Sequence, residues 1–347
     1  MSRRRLFLCV TLFSIVTVAA FAQQYDEQND FEVIRSSDEK SVIISGYVGV
    51  NRVVNIPPRL RQLPVTEIGD EAFKEKKLIR IIIPETITKI GSGTFYNNQI
   101  TEIIIPNSVT SIGIYAFSFN QITSVTIPSS VISIGHGAFR NNNLTSVNIS
   151  NGIKTIDSWA FINNKLTNVS IPNSVSSIGN WAFGGNENLT EINVSSNNQN
   201  YSSVDGVLYN KNRTSLLFYP AGKSKIVIIP NGVTSIGDSA FMNNNITSVT
   251  IPNGVTSIGK YAFNNNKLTS ITIPDSVTSI ESSAFSGCKE LTNITIGANV
   301  KLNVILVEDG FYYDSSFENG FDRFYNNQGH WAGTYTNSNG KWNVQYR

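Results

Sequence analysis

One phenylalanine recurs along this chain at a fixed spacing, and this period constrains the fold more than any other feature. It closes a motif of the form Ile-Gly-x-x-Ala-Phe, and its copies are evenly spaced except for one longer step, from Phe183 to Phe241. The full set of positions is Phe73, Phe95, Phe117, Phe139, Phe161, Phe183, Phe241, Phe263 and Phe285. A period of roughly 20 to 30 residues is typical of a solenoid, whose units pack only against their neighbours. We therefore predict a repeat solenoid in which these rings form the core.

Each unit also carries a strand pattern, Leu/Ile-x-x-Val/Ile-x-Ile-Pro, followed by Val-Thr-Ser-Ile-Gly. In one unit Val147 and Ile149 alternate with polar residues, which is the period of a β-strand. The proline lacks an N–H and ends the strand. The corner glycine that follows indicates either a positive φ or a close approach of two backbones. The sequence thus predicts a β-rich coil with short extended or helical turns on its outer face.

An asparagine lies three positions after most of the recurring phenylalanines. These asparagines are Asn98, Asn120, Asn142, Asn164, Asn244 and Asn266. Stacked at the strand spacing of about 4.8 Å, such side chains satisfy the backbone of the bend and one another. We expect this column to be structural.

The chain divides into four parts on this pattern. Residues 1–22 are predicted as a signal peptide and residues 23–52 as an N-terminal leader and cap. The solenoid is assigned to residues 53–300, with a hairpin insertion at about 195–225 that accounts for the long step. Residues 301–347 are predicted as an aromatic-rich C-terminal cap or small module.

The start of the chain has the three regions of a secretory signal. Arg3 to Arg5 supply the positive start, residues 6–18 the apolar centre, and Ala20-Phe21-Ala22 a small-x-small cleavage site. An uncleaved transmembrane anchor is the alternative, although the apolar run is shorter than the roughly 20 residues that a span needs. We expect an exported protein that is found at the cell surface, in the periplasm or in the medium, with no stable membrane span after cleavage.

Charge and cysteine content argue against two classes of protein, those that bind nucleic acid and those stabilised by disulfides. The chain has 27 basic and 25 acidic residues, and without Arg3, Arg4 and Arg5 the basic count becomes 24. A nearly neutral chain with no basic run offers no electrostatic footprint for nucleic acid. Cys9 lies within the apolar signal, so cleavage leaves Cys288 alone and no intramolecular disulfide can form. We expect Cys288 to be buried and structural.

Catalytic and metal-binding patterns are missing from the sequence. His136 and His330 are its two histidines, which is too few for ordinary His/Cys metal spacing. A Ser/His/Asp triad would have to use one of these two loop residues, and there is no phosphate-binding glycine motif. His136 is expected to be a solvated side chain. We predict no catalytic residue, no metal, no cofactor and no enzymatic activity.

Two surfaces are candidates for binding. One is the polar side of the predicted inner strands, represented by Thr123, Thr126, Thr145 and Asn148. The other is the position two before the recurring phenylalanine, where Tyr115, Trp159, Trp181 and Tyr261 occur. If exposed, Trp159 and Trp181 would stack on adjacent turns about 5 Å apart and form a hot spot for protein or glycan. The alternative is that these rings cover the outer arc of the coil.

Aromatic residues are concentrated at the C-terminus. Residues 311–347 contain eleven of them, among them Phe311, Tyr312, Tyr313, Phe317, Phe321, Phe324, Tyr325, Trp331 and Trp342. One interpretation is a cap that closes the exposed end of the core. The other is a module that binds sugar or protein, since clustered rings suit both.

The repeat itself resembles that of a known family. Over roughly residues 41–300, and in the stretch Ile-Pro-Asn-Gly-Val-Thr-Ser-Ile-Gly-Lys-Tyr-Ala-Phe at 251–263, the chain is similar to the BspA-like, or treponemal-type, leucine-rich repeat proteins of bacteria. The resemblance implies a right-handed leucine-rich-repeat coil with one parallel β-sheet on the inner face. It also implies export and, for several members, binding to host matrix or other cells. It supplies no catalytic residues.

These observations support three hypotheses. The leading one is an exported, non-enzymatic protein that mediates protein–protein interaction, with adhesion to host matrix or to other cells as its role. The second is an envelope structural protein that associates with itself through strand edges. The third is a glycan-binding module centred on the aromatic C-terminus.

Overall fold

The computed structural model describes residues 25–298, 300–303, 305–306, 313–314, 317, 321–338 and 341–347. The predicted signal peptide, residues 1–22, lies outside this part of the chain, as do Phe311 and Tyr312. The described residues form a β-solenoid, and the column of recurring phenylalanines runs along its centre.

The longer strands of the repeat form a series of parallel pairs, and we call the whole set the long-strand ladder. Its strands are Val53–Asn55, Arg80–Ile82, Ser124–Ile127, Ser146–Ile149, Asn168–Ile171, Glu191–Val194, Ile226–Ile228, Ser248–Thr250, Ser270–Thr272 and Asn293–Ile296. Paired strands keep the repeat register, so that Ser146 faces Ser124 and Ile149 faces Ile127. Alternate side chains are buried, which is the burial pattern that the period of two predicts.

The Ser-Ile segments form two further parallel ladders, one before and one after the insertion, which together we call the short-strand ladder. It comprises Leu63–Ile68, Lys89–Ile90, Ser111–Ile112, Ser133–Ile134, Thr155–Ile156 and Ser177–Ile178, and after the insertion Ser215–Phe218, Ser235–Ile236, Ser257–Ile258, Ser279–Ile280 and Lys301–Leu302. Ser133 pairs with both Ser111 and Thr155. The parallel sheet inferred from the repeat is confirmed, and the turns of the coil are extended and bent, not helical.

The recurring phenylalanines turn inward and stack. Each is exposed by no more than 1%, and neighbouring rings from Phe73 to Phe183 have centroids 5.1 to 5.8 Å apart. Tyr47 continues the stack beyond Phe73 at 5.2 Å. Phe317 continues it beyond Phe285 at 4.6 Å. Burying each aromatic side chain stabilises the fold by roughly 1.5 to 3 kcal/mol. An interior ring such as Phe139 contacts the rings of both neighbouring turns.

The asparagine column satisfies the backbone inside the bend. Asn142 Nδ2 donates to the Phe117 carbonyl oxygen of the preceding turn at 2.9 Å and to the Phe139 carbonyl oxygen at 3.2 Å. Its Oδ1 accepts the backbone N–H of Ile122 at 3.0 Å. The same three contacts are made by Asn98, Asn120, Asn164, Asn186 and Asn266. In the last turn Cys288 occupies this place, buried to 1% exposure, with Sγ donating to the Phe263 carbonyl at 3.2 Å.

Close approach of backbones, and not positive φ, explains the corner glycines. A Cβ on Gly113 would lie 2.5 Å from the carbonyl carbon of Gly91 in the turn before it. The left-handed residues occur elsewhere, two positions before and two positions after each recurring phenylalanine. Around Phe117 they are Tyr115, with φ of 52°, and Phe119, with φ of 56°. Each turn therefore reverses direction twice on its outer arc.

The long step in the repeat contains antiparallel strands. Tyr201–Val204 and Val207–Asn210 pair antiparallel, and Ser215–Phe218 follows antiparallel to the second of them. Tyr219 takes the place of the missing phenylalanine, because its ring lies 5.0 Å from Phe241. Phe218 meets Phe183 edge-on at 6.5 Å. The described core accordingly separates into two clusters at this point.

Both ends of the coil are covered. The 3-10 helix Gln28–Asp30 leads into strand Phe31–Arg35, which pairs antiparallel with Val42–Tyr47. Val42–Tyr47 in turn pairs in parallel with Leu63–Ile68. Arg59–Leu60 also pairs with Leu63–Ile68, in the antiparallel sense. At the other end Gly333–Ser338 pairs antiparallel with the last long strand, Asn293–Ile296, and then with Lys341–Tyr346. The helix Phe321–Asn327 and the strands Ile305–Leu306 and Tyr313–Asp314 complete this end. Paired terminal strands leave fewer unpaired backbone groups in solvent.

Candidate interaction surfaces

The polar side of the long-strand ladder faces solvent. Thr123, Thr126, Thr145 and Asn148 are all exposed. Thr145 is held in part by the preceding turn, because its Oγ1 donates to the Thr123 carbonyl oxygen at 3.2 Å. Thr126 and Asn148 line a shallow groove of about 610 Å³ that crosses three turns. The face offers hydroxyl and amide groups with adaptable hydrogen bonding.

Exposed isoleucines interrupt this polar face. Ile104 is 82% exposed at the edge of the same groove, and Ile79 is 40% exposed in the preceding turn. After the hairpin Ile226 and Ile228 are 66% and 76% exposed. Isolated surface apolar residues are ordinary, but a set that repeats on one sheet face is typical of a protein interaction site.

The four aromatic residues that precede the recurring phenylalanine by two positions lie on the outer arc and are half-buried. Tyr115, Trp159, Trp181 and Tyr261 have φ values of 52°, 63°, 56° and 57°. This left-handed conformation is uncommon for bulky residues and costs energy. The backbone of the bend thus dictates how these side chains leave the coil.

These aromatic residues do not form one stack. Trp159 contacts the His136 ring at 5.3 Å, whereas the Trp181 indole packs against the core and over Gly184. No ring contact between Trp159 and Trp181 occurs in the described residues. Tyr115 lies over Gly137, and Lys260 Nζ lies 5.0 Å from the Tyr261 ring centroid.

His136 is not a freely solvated side chain, so that expectation is corrected. It is half-buried, and its ring lies 5.3 Å from both Tyr115 and Trp159. Adjacent turns bring these three rings together because each lies near the start of its own outer arc. His136 occupies a position of the repeat where the residue type varies from turn to turn, so the sequence pattern gave no indication of this packing.

A second groove lies on the outer arc of the first turns, and sequence analysis missed most of its residues. It has a volume of about 730 Å³ and is lined by Asp70, Glu71, Lys74, Glu75, Ser92, Gly93, Tyr96, Ile114, Tyr115, Phe119 and Arg140. Phe119 meets Tyr96 edge-on at 5.4 Å. One sequence signal was present, because Phe119 occupies a position filled in most other turns by asparagine or glycine.

The described aromatic residues of the C-terminus are mostly buried. Phe317, Phe321, Tyr325 and Tyr335 are exposed by no more than 1%, while Trp331 is 64% exposed. Burial raises the pKa of Tyr335 to about 12, with Tyr325 and Tyr346 adding to the effect. These rings close the end of the core.

Metal and membrane sites were also sought in the described part of the chain. It contains no group of three or more His, Cys, Asp or Glu side chains placed to hold a metal ion. Among its helices, none has the length and apolar character that crossing a bilayer requires.

The repeat matches one family profile over most of its length. The profile of the BspA type leucine rich repeat region matches residues 60–147, 110–218 and 211–319, with six copies. The chain belongs to the BspA-type leucine-rich repeat family. A search among curated proteins found no match.

Several solved structures are similar to this chain. The pneumococcal vaccine antigen PcpA is 24% identical, with a TM-score of 0.69 over 80% of this chain and 82% of its own, which shows the fold. A leucine rich cell surface protein from Faecalibacterium prausnitzii is 28% identical, with a TM-score of 0.60 over 80% and 89% of the two chains. A leucine-rich repeat protein from Eubacterium ventriosum is 29% identical, with a TM-score of 0.62 over 78% and 70%.

Proposed function

We propose that this BspA-type protein is exported, has no enzymatic activity and binds another protein, with adhesion to host matrix or to other cells as its role. The observation that carries the proposal is the set of exposed isoleucines on the otherwise polar face of the long-strand ladder, led by Ile104 at 82% exposure. Burying such side chains against a partner returns about 25 cal/mol per Å² of apolar area. A similar protein from Faecalibacterium prausnitzii is described as a cell surface protein, which supports the proposed location.

The repeat supplies matched variants for testing this surface. Ile104 occupies the slot that Thr126 fills in the next turn, and Ile228 the slot of Thr250. Ile104→Thr and Ile228→Thr therefore remove apolar area without changing the strand pattern. Because β-branched residues suit strands, both variants should fold normally.

The test is capture of partners by the mature chain, residues 23–347, from purified matrix proteins and from extracts of host and bacterial cell surfaces. We expect a protein to be retained by the wild type and lost from the double variant Ile104→Thr/Ile228→Thr. Thr272→Ser, on the same face, is the control and should retain it. Retention by all three proteins would contradict the proposed surface, and the absence of any specific partner would contradict the proposed function.

Export is tested separately by sequencing the N-terminus of the protein recovered from the medium or the cell envelope. A chain that begins at Gln23 supports the proposed signal peptide. A chain that retains residues 1–22 would contradict it and favour an anchor.

The two alternative functions have less support. Self-association through strand edges would need unpaired terminal strands. The last long strand, Asn293–Ile296, is already paired with Gly333–Ser338. Sugar binding by the C-terminal rings would need exposed ring faces, but side chains such as Phe321 and Tyr335 are fully buried. A monomer in sedimentation at high concentration, together with unchanged glycan retention after Trp331→Ala, would set both aside.

A further inference from the structure

Arg140 is held by aromatic rings and not by an acid. Its guanidinium carbon lies 5.6 Å from the Phe119 ring centroid in the preceding turn and 5.2 Å from the Trp159 ring centroid in the following turn. Its Nε is buried and has no hydrogen-bond partner. Within the described residues the Arg140 side chain makes no ion pair. The two rings hold the guanidinium between them and leave its positive charge without a carboxylate.

This arrangement is costly for the fold by itself. A buried donor without an acceptor costs about 1 to 3 kcal/mol. Phe119 and Trp159, the two rings against the guanidinium, both have positive φ, which adds strain. Phe119 is also 36% exposed, so burial of its ring offsets the strain only in part. Positive φ occurs at these two positions in every turn, and the feature particular to this site is that Phe119 replaces the asparagine or glycine of most other turns. Unfavourable backbone conformations of bulky residues are often found at functional sites.

The other end of the same groove is acidic, and its acids have partners. Glu71 pairs with Lys74 at 2.8 Å. Asp70 Oδ1 accepts the backbone N–H of Ser92 at 2.7 Å. Glu75 accepts from Asn97 Nδ2 at 3.4 Å. Three carboxylates against one lysine leave this end negative, whereas the Arg140 end is positive.

We propose that this groove docks an extended segment of the partner protein, with an acidic side chain on the Arg140 guanidinium and a basic side chain against Glu71 and Glu75. Arg140 lies three turns from Glu71 and Glu75, or about 15 Å at the strand spacing of roughly 4.8 Å. An extended chain covers this distance in about four residues at roughly 3.4 Å each. Tyr96, Tyr115 and Phe119 line the groove in the two turns between the charged ends, with Lys74 Nζ 5.8 Å from the Tyr96 ring centroid. The inference deepens the proposed function and rests on it.

Charge complementarity favours a segment with both signs over a polyanion. A planar guanidinium matches a carboxylate in a two-point hydrogen bond, which a lysine does not reproduce. A sulphated glycan long enough to fill the groove would bring negative charge against Asp70, Glu71 and Glu75. A peptide with an acid and a base four positions apart meets opposite charge at both ends.

The probe is the peptide acetyl-Glu-Ser-Tyr-Ser-Lys-amide, titrated into the mature chain by calorimetry and by tryptophan fluorescence, since Trp159 lies against Arg140. We expect saturable binding that weakens with salt. Arg140→Met should weaken it at least tenfold, Arg140→Lys should weaken it similarly, and Glu75→Gln should weaken it less. Lys267→Met removes an exposed charge in another turn and should leave binding unchanged. Thermal unfolding of each variant verifies that it is folded.

Several results would overturn the proposal. One is no binding of the probe to the wild type, and another is equal binding by folded Arg140→Met. A third is Arg140-dependent binding of a heparin-derived hexasaccharide that is tighter than that of the peptide. If Arg140→Met still captures the natural partner while the isoleucine double variant does not, this inference fails and the proposed function stands.

Discussion

The rings of Phe117 and Phe139 lie 5.1 Å apart with their planes within 9° of each other. Because every turn shares its ring with two neighbours, truncating one ring loosens three turns. Phe139→Ala should lower the free energy of unfolding by about 3 to 5 kcal/mol and should broaden or split the urea transition. Phe139→Leu keeps much of the volume and should cost less. An unchanged transition for Phe139→Ala would contradict the shared core.

The contacts of Asn142 make it more important for stability than its polar side chain suggests. Asn142→Ala leaves the Ile122 N–H without a partner in a buried bend and removes one of the two amide donors to the Phe117 carbonyl oxygen, which keeps Asn120 Nδ2. We expect a loss of about 1 to 3 kcal/mol in the free energy of unfolding. Asn141→Gly, at the preceding position, is the control, because φ at Asn141 is 53° and glycine adopts it freely. Equal stability of the two variants would contradict the structural role of the column.

Phe119 should destabilise the fold at its own position. Its φ of 56° costs roughly 1 to 2 kcal/mol for an ordinary residue, whereas asparagine is enriched in this conformation. The contact with Arg140 returns about 0.5 to 1 kcal/mol. Phe119→Asn should therefore raise the free energy of unfolding by about 0.5 to 1 kcal/mol.

The same substitution should abolish binding of the peptide probe, since the guanidinium of Arg140 loses one of its two rings. The reciprocal variant in the next turn, Asn141→Phe, should lower stability. Chemical denaturation and the peptide titration check both effects. A fall in stability for Phe119→Asn would show that the ring supports the fold and not a ligand.

Alkaline pH should open the two ends of the coil first. Burial raises the pKa of Tyr47 from 10.0 to about 12, with the charges of Asp26 and Asp30 adding to the effect. Between these values the folded chain holds a proton that the unfolded chain releases, so stability present below pH 10 is lost as the pH rises towards 12. Tyr335 behaves in the same way at the C-terminal end.

Circular dichroism and phenolate absorbance, followed together through this range, measure the alkaline transition. Tyr47→Phe removes the ionisation and should move the transition of the N-terminal end to higher pH. A Tyr47 that ionises near its ordinary pKa without any loss of structure would contradict the prediction.

Much of the fold was predictable from the sequence because its signals are local and repeated. The nearly constant spacing of the recurring phenylalanine, the alternation at Val147 and Ile149, and the proline that follows most of the strands indicate the same coil. The asparagine column was predicted as structural, although Asn186 was not included. Each of these features depends on spacing along one chain, which stacking preserves from turn to turn.

The candidate sites were less predictable. The repeat spacing identified the position that Tyr115 and Trp159 share. It did not predict the contacts that these two rings make with His136. Tyr219 was recognised as part of the insertion, but not as the residue that replaces the missing phenylalanine in the stack. A hairpin of irregular length breaks the count along the chain, so its register is set only by tertiary packing.

The sequence by itself determined that the chain coils, which residues turn inward and where the coil is interrupted. Tertiary structure alone decided that Phe119, Arg140 and Trp159 meet on the outer arc. The physical reason is that two left-handed residues in each turn set the direction in which these side chains leave the backbone. That direction depends on φ at each residue, and a repeat period carries no information about it.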